Sequence, residues 1–367
     1  MVDSMPRSAY YLRMGHKQDS NGRKEPVTMR TIADEAGVTL TTVSRILNHD
    51  EGKYKYAEKT RRRVRSIAER LKYRPNALVR GMQTGRTGTA GVMVPPNGFY
   101  SEVVVGIHEE LFSNDTIMLL SWNHRSINNR EEKMERQIIH QMIDRRVDGI
   151  ILRPSSEDFT RSYFEEIWER DIPLILIDRH LSKIDTDFVG TDDVAGGKMA
   201  AEHLLALGHR NLLFIGASSS ISTSRQREEG FRRVLSEMPN AFCRSLYEDQ
   251  RHTMTTELID SMIVLLKGKD RPTGLFCYND IFAHQAVSAV RQAGFSVPGD
   301  LSIIGFGNQP TLEGSIPLTT FDQHPGQIGQ LAARMYLNRI SNLKDDSTRS
   351  ELVMPDLIPR QSTGPVG

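Results

Sequence analysis

"TMRTIADEAGVTLTTVSRILN", Thr28–Asn48, decides what kind of molecule this is. Two short helical runs meet at Gly37. Thr28 is placed to cap Met29–Ala36, because its hydroxyl can accept from an N–H left free in the first turn. Gly37 supplies the left-handed residue that ends that run. Thr39 stands in the same capping position before Leu40–Asn48. Ile32, Ala33, Ala36, Val38, Val43, Ile46 and Leu47 make a small shared core. A third run, about Glu58 to Lys72, sets Val64, Ile67, Ala68 and Leu71 at i, i+3, i+4 and i+7, with arginines on its other faces.

Three short helices with a glycine turn between the first two read as a helix-turn-helix. In that arrangement the second helix enters the DNA major groove through its N-terminal residues and an exposed basic side chain. The expected DNA contacts are Thr39, Leu40, Thr41, Thr42, Ser44, Arg45 and Asn48, with Thr28 at the front of the first helix. Arg45 suits guanine O6/N7 or a phosphate, Thr41 suits either kind of contact, and Leu40 suits a thymine methyl. The competing reading is a helical pair that packs on another protein surface.

Charge is uneven. Thr28–Arg86 holds 14 basic and 6 acidic residues, and the first 27 residues hold 5 and 3. Within a formal net charge of +1 the rest of the chain is therefore −9. A basic front on an acidic body points to a polyanion for the front alone. Of the 367 residues 38% are hydrophobic and 25% charged, ordinary for a chain with a real core and long enough for two or three domains. No run of 18 apolar residues occurs, and the polar residues 1–26 carry no secretory h-region and read as a disordered tail. Two cysteines without CxxC spacing argue against a disulfide framework or a cysteine zinc site, and a cytoplasmic home is expected.

After Gly88 the pattern changes. Strand-like runs ("GTAGVMVP", "TIMLLSW", "DGIILRPS", "IPLILID", "NLLFIG", "TGLFCYND", "LSIIGF") alternate with helix-like runs. That is repeated βαβ logic, hence parallel sheets covered by helices. The run is too long for one sheet, so two doubly wound lobes are expected, with a ligand between them at the strand C-termini. No GxSxG, HExxH, P-loop or EF-hand loop occurs, "GFGNQP" lacks a third glycine, and no histidine spacing suits a metal. Neither an enzyme, a cofactor nor a metal is expected.

The order of motifs is similar to that of the LacI/GalR family of bacterial transcription regulators. "VTMRTIADEAGVTLTTVSRILN", "LKYRPNALVRGMQTGRTGTAGVMVP", "RRVDGIIL", "DFVGTDDVAGGKMAAEHLLALGHRNLLFIG" and "FCYNDIFAHQAVSAVRQAGFSVPGDLSIIGFGN" carry it, and it runs from Val27 to the C-terminus. The resemblance implies an α-helical headpiece over 27–73 and a hinge helix and linker over 74–87. It also implies a two-lobed, periplasmic-binding-protein-like core over 88–367. The first lobe would take about 88–188 and 322–350, and the second about 189–320 and 351–363. It implies a homodimer on double-stranded pseudo-palindromic operator DNA, released or tightened by a small-molecule effector, a sugar or sugar acid.

By the same resemblance Asn76, Val79 and Met82 of the hinge meet the minor groove. Met82 stands where the family has leucine, and Gly81 lowers helix propensity by about 1 kcal/mol relative to alanine. Between Asn48 and Thr60 the chain is longer than usual, and Ala57 replaces the family's serine cap. The effector pocket maps onto Phe99, Tyr100, Asp178, Thr223, Arg227, Asn279, Gly307 and Gln323. Arg227 would clamp the effector, and Gly307 replaces the family's aspartate. That loss removes negative charge near Arg227 and favours a sugar acid or sugar phosphate, unless Asn308 or water fills the gap for a neutral sugar. Blander roles also exist: Asp178 capping a turn, Arg227 pairing with Glu228 or Glu229, and Asn279 capping a helix. A solute-binding protein without a regulatory role is the alternative function, although it leaves the basic headpiece unexplained.

Overall fold

The structure is a computed structural model. It describes residues 27–48, 56–74, 85–123, 131–181, 183–218, 221–248, 253–311, 314–343 and 347–367. The chain divides into two compact units, 1–87 and 88–367.

The first unit contains α1 (Met29–Ala36), α2 (Leu40–Asn48) and α3 (Glu58–Arg70). Thr28 Oγ1 accepts from the Thr31 N–H at 3.3 Å, and the Thr28 N–H donates to Thr31 Oγ1 at 3.3 Å, a reciprocal capping box. Gly37 closes α1 with φ 62°. Thr39 Oγ1 accepts from the Thr42 N–H at 3.2 Å at the start of α2. Ile32, Ala33, Ala36, Val43, Ile46, Val64, Ile67 and Ala68 form one buried core, with Val38, Leu47 and Leu71 packed against it. Ala57 stands at the N-cap of α3 and offers no side-chain bond. The helix ends at Arg70, short of the expected Lys72, because Lys72 turns left-handed with φ 52°.

In the second unit the chain first lays down β1 (Thr89–Val94), α4 (Gly98–Ser113), β2 (Ile117–Trp122), α5 (Glu131–Asp144), β3 (Gly149–Leu152), α6 (Glu165–Glu169), β4 (Leu174–Ile177) and β5 (Asp187–Thr191). It crosses to α7 (Asp193–Ala206), β6 (Asn211–Ala217), α8 (Ser222–Ser236), β7 (Phe242–Glu248), α9 (Thr256–Lys267), β8 (Gly274–Cys277), α10 (Asp280–Gln292) and β9 (Ser302–Ile304). It returns through β10 (Thr320–Asp322), α11 (Pro325–Ser341) and β11 (Ser350–Val353), then ends with β12 (Asp356–Ile358).

Two all-parallel sheets result, β11-β5-β4-β3-β1-β2 and β7-β6-β8-β9. Central strands such as "GIIL" and "LILI" are buried throughout, as parallel strands covered on both faces must be. The antiparallel pair β10–β12 lies beside two of the crossings. Each lobe is closed by helices in glycine-mediated contact. A Cβ on Gly106 of α4 would stand 2.0 Å from the Gly326 carbonyl of α11, and one on Gly197 of α7 would stand 2.0 Å from the Arg227 carbonyl of α8.

The lobe borders differ from those expected. β5 pairs with β11 from Phe188↔Ser350 to Thr191↔Val353, all inside the first sheet. The chain therefore leaves the first lobe after Thr191 and after Val353, not at 188 and 350, because this ladder continues past those points. Strand β7 has no counterpart in the strand runs seen in the sequence. It is an edge strand, "FCRSLYE", whose mixed polar residues hide its period. Among the described residues no helix is long and apolar enough to cross a membrane.

Candidate functional site

Two surfaces carry the expected residues. On the headpiece, Thr39, Leu40 and Thr41 are exposed and Thr42, Ser44 and Arg45 are half-buried. Leu40 is 51% exposed at the first turn of α2. The face of α2 opposite Val43 and Ile46 is thus a polar surface with one projecting leucine and one arginine. On α3, Arg62, Arg63 and Arg65 are exposed, and the exposed Arg70 pairs with Glu35. Asn76, Val79 and Met82 lie outside the described residues, as does the 1–26 tail.

The second surface is the cleft where the lobes meet at the C-terminal ends of their strands. Tyr100, on the first turn of α4, donates its hydroxyl hydrogen to Asp178 Oδ2 at 2.5 Å, just beyond β4. Phe99 packs edge-on against the Tyr100 ring, centroids 5.0 Å apart. Arg153, just beyond β3, donates from Nε to the Tyr100 hydroxyl at 3.1 Å and stands 3.8 Å from Asp178. Burial, and then the Asp178 charge, raise the Tyr100 pKa well above the usual phenol range, so the phenol stays a donor.

From the second lobe, α8 brings Thr223 and Arg227, both buried. Arg227 does not pair with Glu228 or Glu229. Its Nε donates to Asp193 Oδ1 at 2.7 Å, Nη1 donates to the Tyr278 carbonyl, and Nη2 donates to Gln323 Oε1 at 3.3 Å. Its guanidinium also lies 3.7 Å over the Phe306 ring. Gln323 Oε1 further accepts from the Thr191 hydroxyl at 3.1 Å, so one amide at a crossing ties the end of β5 to α8. Burial pushes the Asp193 carboxyl up to about 7 while Arg227 opposes that shift.

Two expectations around Gly307 change here, and Asn279 makes the helix cap that was its alternative role. The missing carboxylate at Gly307 does not leave Arg227 without negative charge, because Asp193 supplies it. Gly307 has φ 135°, a conformation that an aspartate would adopt only with strain. Asn308 does not fill the gap: Nδ2 donates to Asp322 Oδ2 at 3.3 Å and Oδ1 accepts from Arg360 at 2.6 Å. Asn279 caps α10, accepting from the Phe282 N–H at 2.9 Å.

The sequence reading missed several groups at this cleft. Glu157, in the loop after β3, accepts from the Ser222 N–H at 2.7 and 2.8 Å and from the Ser222 hydroxyl at 2.9 Å. It serves the N-terminus of α8 from across the cleft, where Ile221 offers no cap. Glu135 of α5 is fully buried; Oε2 accepts from Asn123 Nδ2 at 3.1 Å and the Ser155 N–H at 2.8 Å. Burial pushes its carboxyl up to about 7. "RPSSED" and "IDRH" did contain the signal: charged residues directly after apolar strands of a parallel sheet stand at the ligand edge.

A helical reading head joined to a two-lobed α/β binding core defines a class, the ligand-responsive DNA-binding regulators. The chain belongs to the LacI family of that class. Residues 28–76 match the family described as bacterial regulatory proteins, lacI family, and 201–363 match a periplasmic binding protein-like domain. The HTH-type transcriptional regulator DegA of Bacillus subtilis is 32% identical over 344 residues, 92% of this chain and 98% of that protein. The HTH-type transcriptional repressor PurR of Mannheimia succiniciproducens is 28% identical over 343 residues, 91% and 98% of the two chains. A LacI family regulator from Enterococcus faecium with bound ribose matches with TM-score 0.61 and 28% identity over 76% of this chain and 100% of that one. The Lac repressor dimer bound to operator and an anti-inducer shares the fold, with TM-score 0.71 and 22% identity over 93% and 100%. The protein is a DNA-binding transcriptional regulator, not an enzyme.

Proposed function

We propose that this regulator represses transcription as a homodimer on a pseudo-palindromic operator, and that a small molecule in the interlobe cleft sets its operator affinity. The observation that carries the reading is the pairing of lobes through the cleft's own side chains. Arg227, Gln323, Thr191 and Glu157 connect the two lobes directly, so a ligand that displaces or reinforces those bonds changes the lobe angle. Coupling between the two sites is a free energy and acts in both directions. A second copy is favoured by the exposed Val105 and Phe112 of α4 and the neighbouring Ile117 of β2, an apolar face on the first lobe. On the DNA, Leu40, Thr41, Ser44 and Arg45 read the major groove while Thr28, Thr39, Thr42 and Asn48 hold the phosphates. Asn76, Val79 and Met82 are assigned to the minor groove by resemblance. Phe99, Tyr100, Asp178, Thr223, Arg227, Asn279 and Gln323 line the effector cleft around Gly307. Analogy with the ribose-bound relative makes a sugar or sugar derivative the effector class.

Operator DNA selected from a random pool tests the reading. Arg45→Ala is expected to weaken binding by about 1–3 kcal/mol. Wild-type affinity should fall steeply with salt as phosphate counterions are released. Unchanged affinity in the variant removes α2 as the reading helix.

A further inference from the structure

We infer that the first-lobe wall of the cleft is an anion receptor built on Arg153 and Arg179, so that the effector carries a carboxylate or phosphate group. This deepens the effector reading above and rests on it. The two arginines follow β3 and β4, adjacent parallel strands, and the register Leu152↔Leu176 sets Arg179 two positions beyond Arg153 at the same ligand edge. Each is only 6% exposed. Two guanidiniums carry about ten N–H donors. Among the described residues they make two hydrogen bonds, Arg153 Nε to the Tyr100 hydroxyl at 3.1 Å and Arg179 Nη1 to the Ser155 carbonyl at a long 3.4 Å. Arg179 Nε is buried and meets no acceptor among the described residues. Folded chains rarely leave a buried donor in that condition. When the donor belongs to a guanidinium, the missing acceptor is best met by a planar oxyanion.

The charges around the pair agree in sign. Arg153, Arg179 and the half-exposed Arg225 face Asp178 and Glu157. Asp178, 3.8 Å from Arg153, also accepts from the Tyr100 hydroxyl, and Glu157 accepts from the backbone and hydroxyl of Ser222, with Arg225 at 3.9 Å. Glu135, the remaining carboxyl behind the wall, is pushed up to about 7 by burial and contributes only part of a charge at neutral pH. Burial, and then the charge of Arg153, lower Arg179 to about 10 against the opposing Tyr100, Asp178 and Glu157, whereas Arg153, closer to Tyr100 and Asp178, is raised. Arg227 is better satisfied, with a protein acceptor at each of its three nitrogens.

The test is calorimetry and thermal melting of the full-length protein with matched ligands: aldoses, the corresponding aldonates and uronates, the sugar phosphates, and inorganic phosphate. The expected result is stabilisation by an acid or a phosphate ester and none by its neutral parent; which of the two arms responds identifies the group. Arg153→Gln and Arg179→Gln should each weaken that binding by about 10- to 100-fold, and Arg179→Lys should keep part of it. Melting without ligand shows whether each variant folds. If a Gln variant does not, a salt titration of wild type decides, since anion binding weakens with added KCl and neutral-sugar binding does not. A neutral sugar bound as tightly as its acid, and lost in Asp178→Asn, overturns the anion receptor and leaves the effector cleft standing. Anion binding indifferent to both Gln variants also overturns it. A panel in which nothing binds overturns the anion receptor and a sugar-derived effector together.

Discussion

Asp193 and Arg227 are the residues on which the cleft turns. Both are almost fully buried, 3% and 5% exposed, and each satisfies the other. Removing one partner of such a pair leaves an uncompensated buried charge, which costs about 3–5 kcal/mol. Asp193→Ala should therefore lower the melting temperature of the core sharply, while Glu229→Ala, which removes an exposed i,i+4 pair, should leave it nearly unchanged. Equal losses in the two variants would contradict the pairing. Glu135 supplies a pH dependence with a definite sign. Burial raises its folded pKa from the usual 4.5 to about 7, so the folded state holds the proton more tightly than the unfolded chain. Its contribution to stability is fully present below about pH 4.5 and is lost as pH rises through about 7. Melting curves from pH 5 to 8 should show that decline in wild type and a flatter profile in Glu135→Gln.

At the scale of elements, the headpiece is held by caps as much as by its small core. α1 has a complete capping box and α2 a threonine cap, but α3 begins on Ala57 with none. Ala57→Ser should stabilise the headpiece by about 0.5–2 kcal/mol, measured by its thermal or urea transition. No gain would mean that the backbone at Ala57, φ −58° and ψ 134°, is too far from cap geometry. The caps of α1 and α2 were legible because threonine and glycine stood at the required spacing from apolar periods. The partner of the α8 N-terminus was not legible, because Glu157 lies 65 residues away and reaches it only when both lobes are folded.

For the whole core, that carboxylate acts as a latch. It neutralises free N–H groups of α8 and favours the approach of the two lobes, and α8 is the helix that carries Thr223 and Arg227. Glu157→Gln should loosen closure, raising the radius of gyration in small-angle scattering and speeding amide exchange in the first turn of α8. Unchanged exchange at Ser222–Ser224 would sink the latch. The same scale explains why the lobe borders were misplaced. Whether β5 and β11 belong to one lobe or straddle two depends on their mutual ladder, formed between segments more than 160 residues apart in sequence.

What the sequence by itself determined was the set of local and periodic features. The helix-turn-helix came from caps and the 3.6-residue apolar period, the two parallel sheets from alternating apolar strands and amphipathic helices. Tyr100, Asp178, Arg227 and Gln323 came from a family pattern that preserves spacing, and the structure brings all four to the interlobe cleft. Only the tertiary structure decided which charges neutralise which. It gave Arg227 to Asp193 and Glu157 to Ser222, and left Arg153 and Arg179 with more donors than acceptors. Pairing between buried charges is a matter of distance across the fold, and no periodicity along the chain encodes that distance.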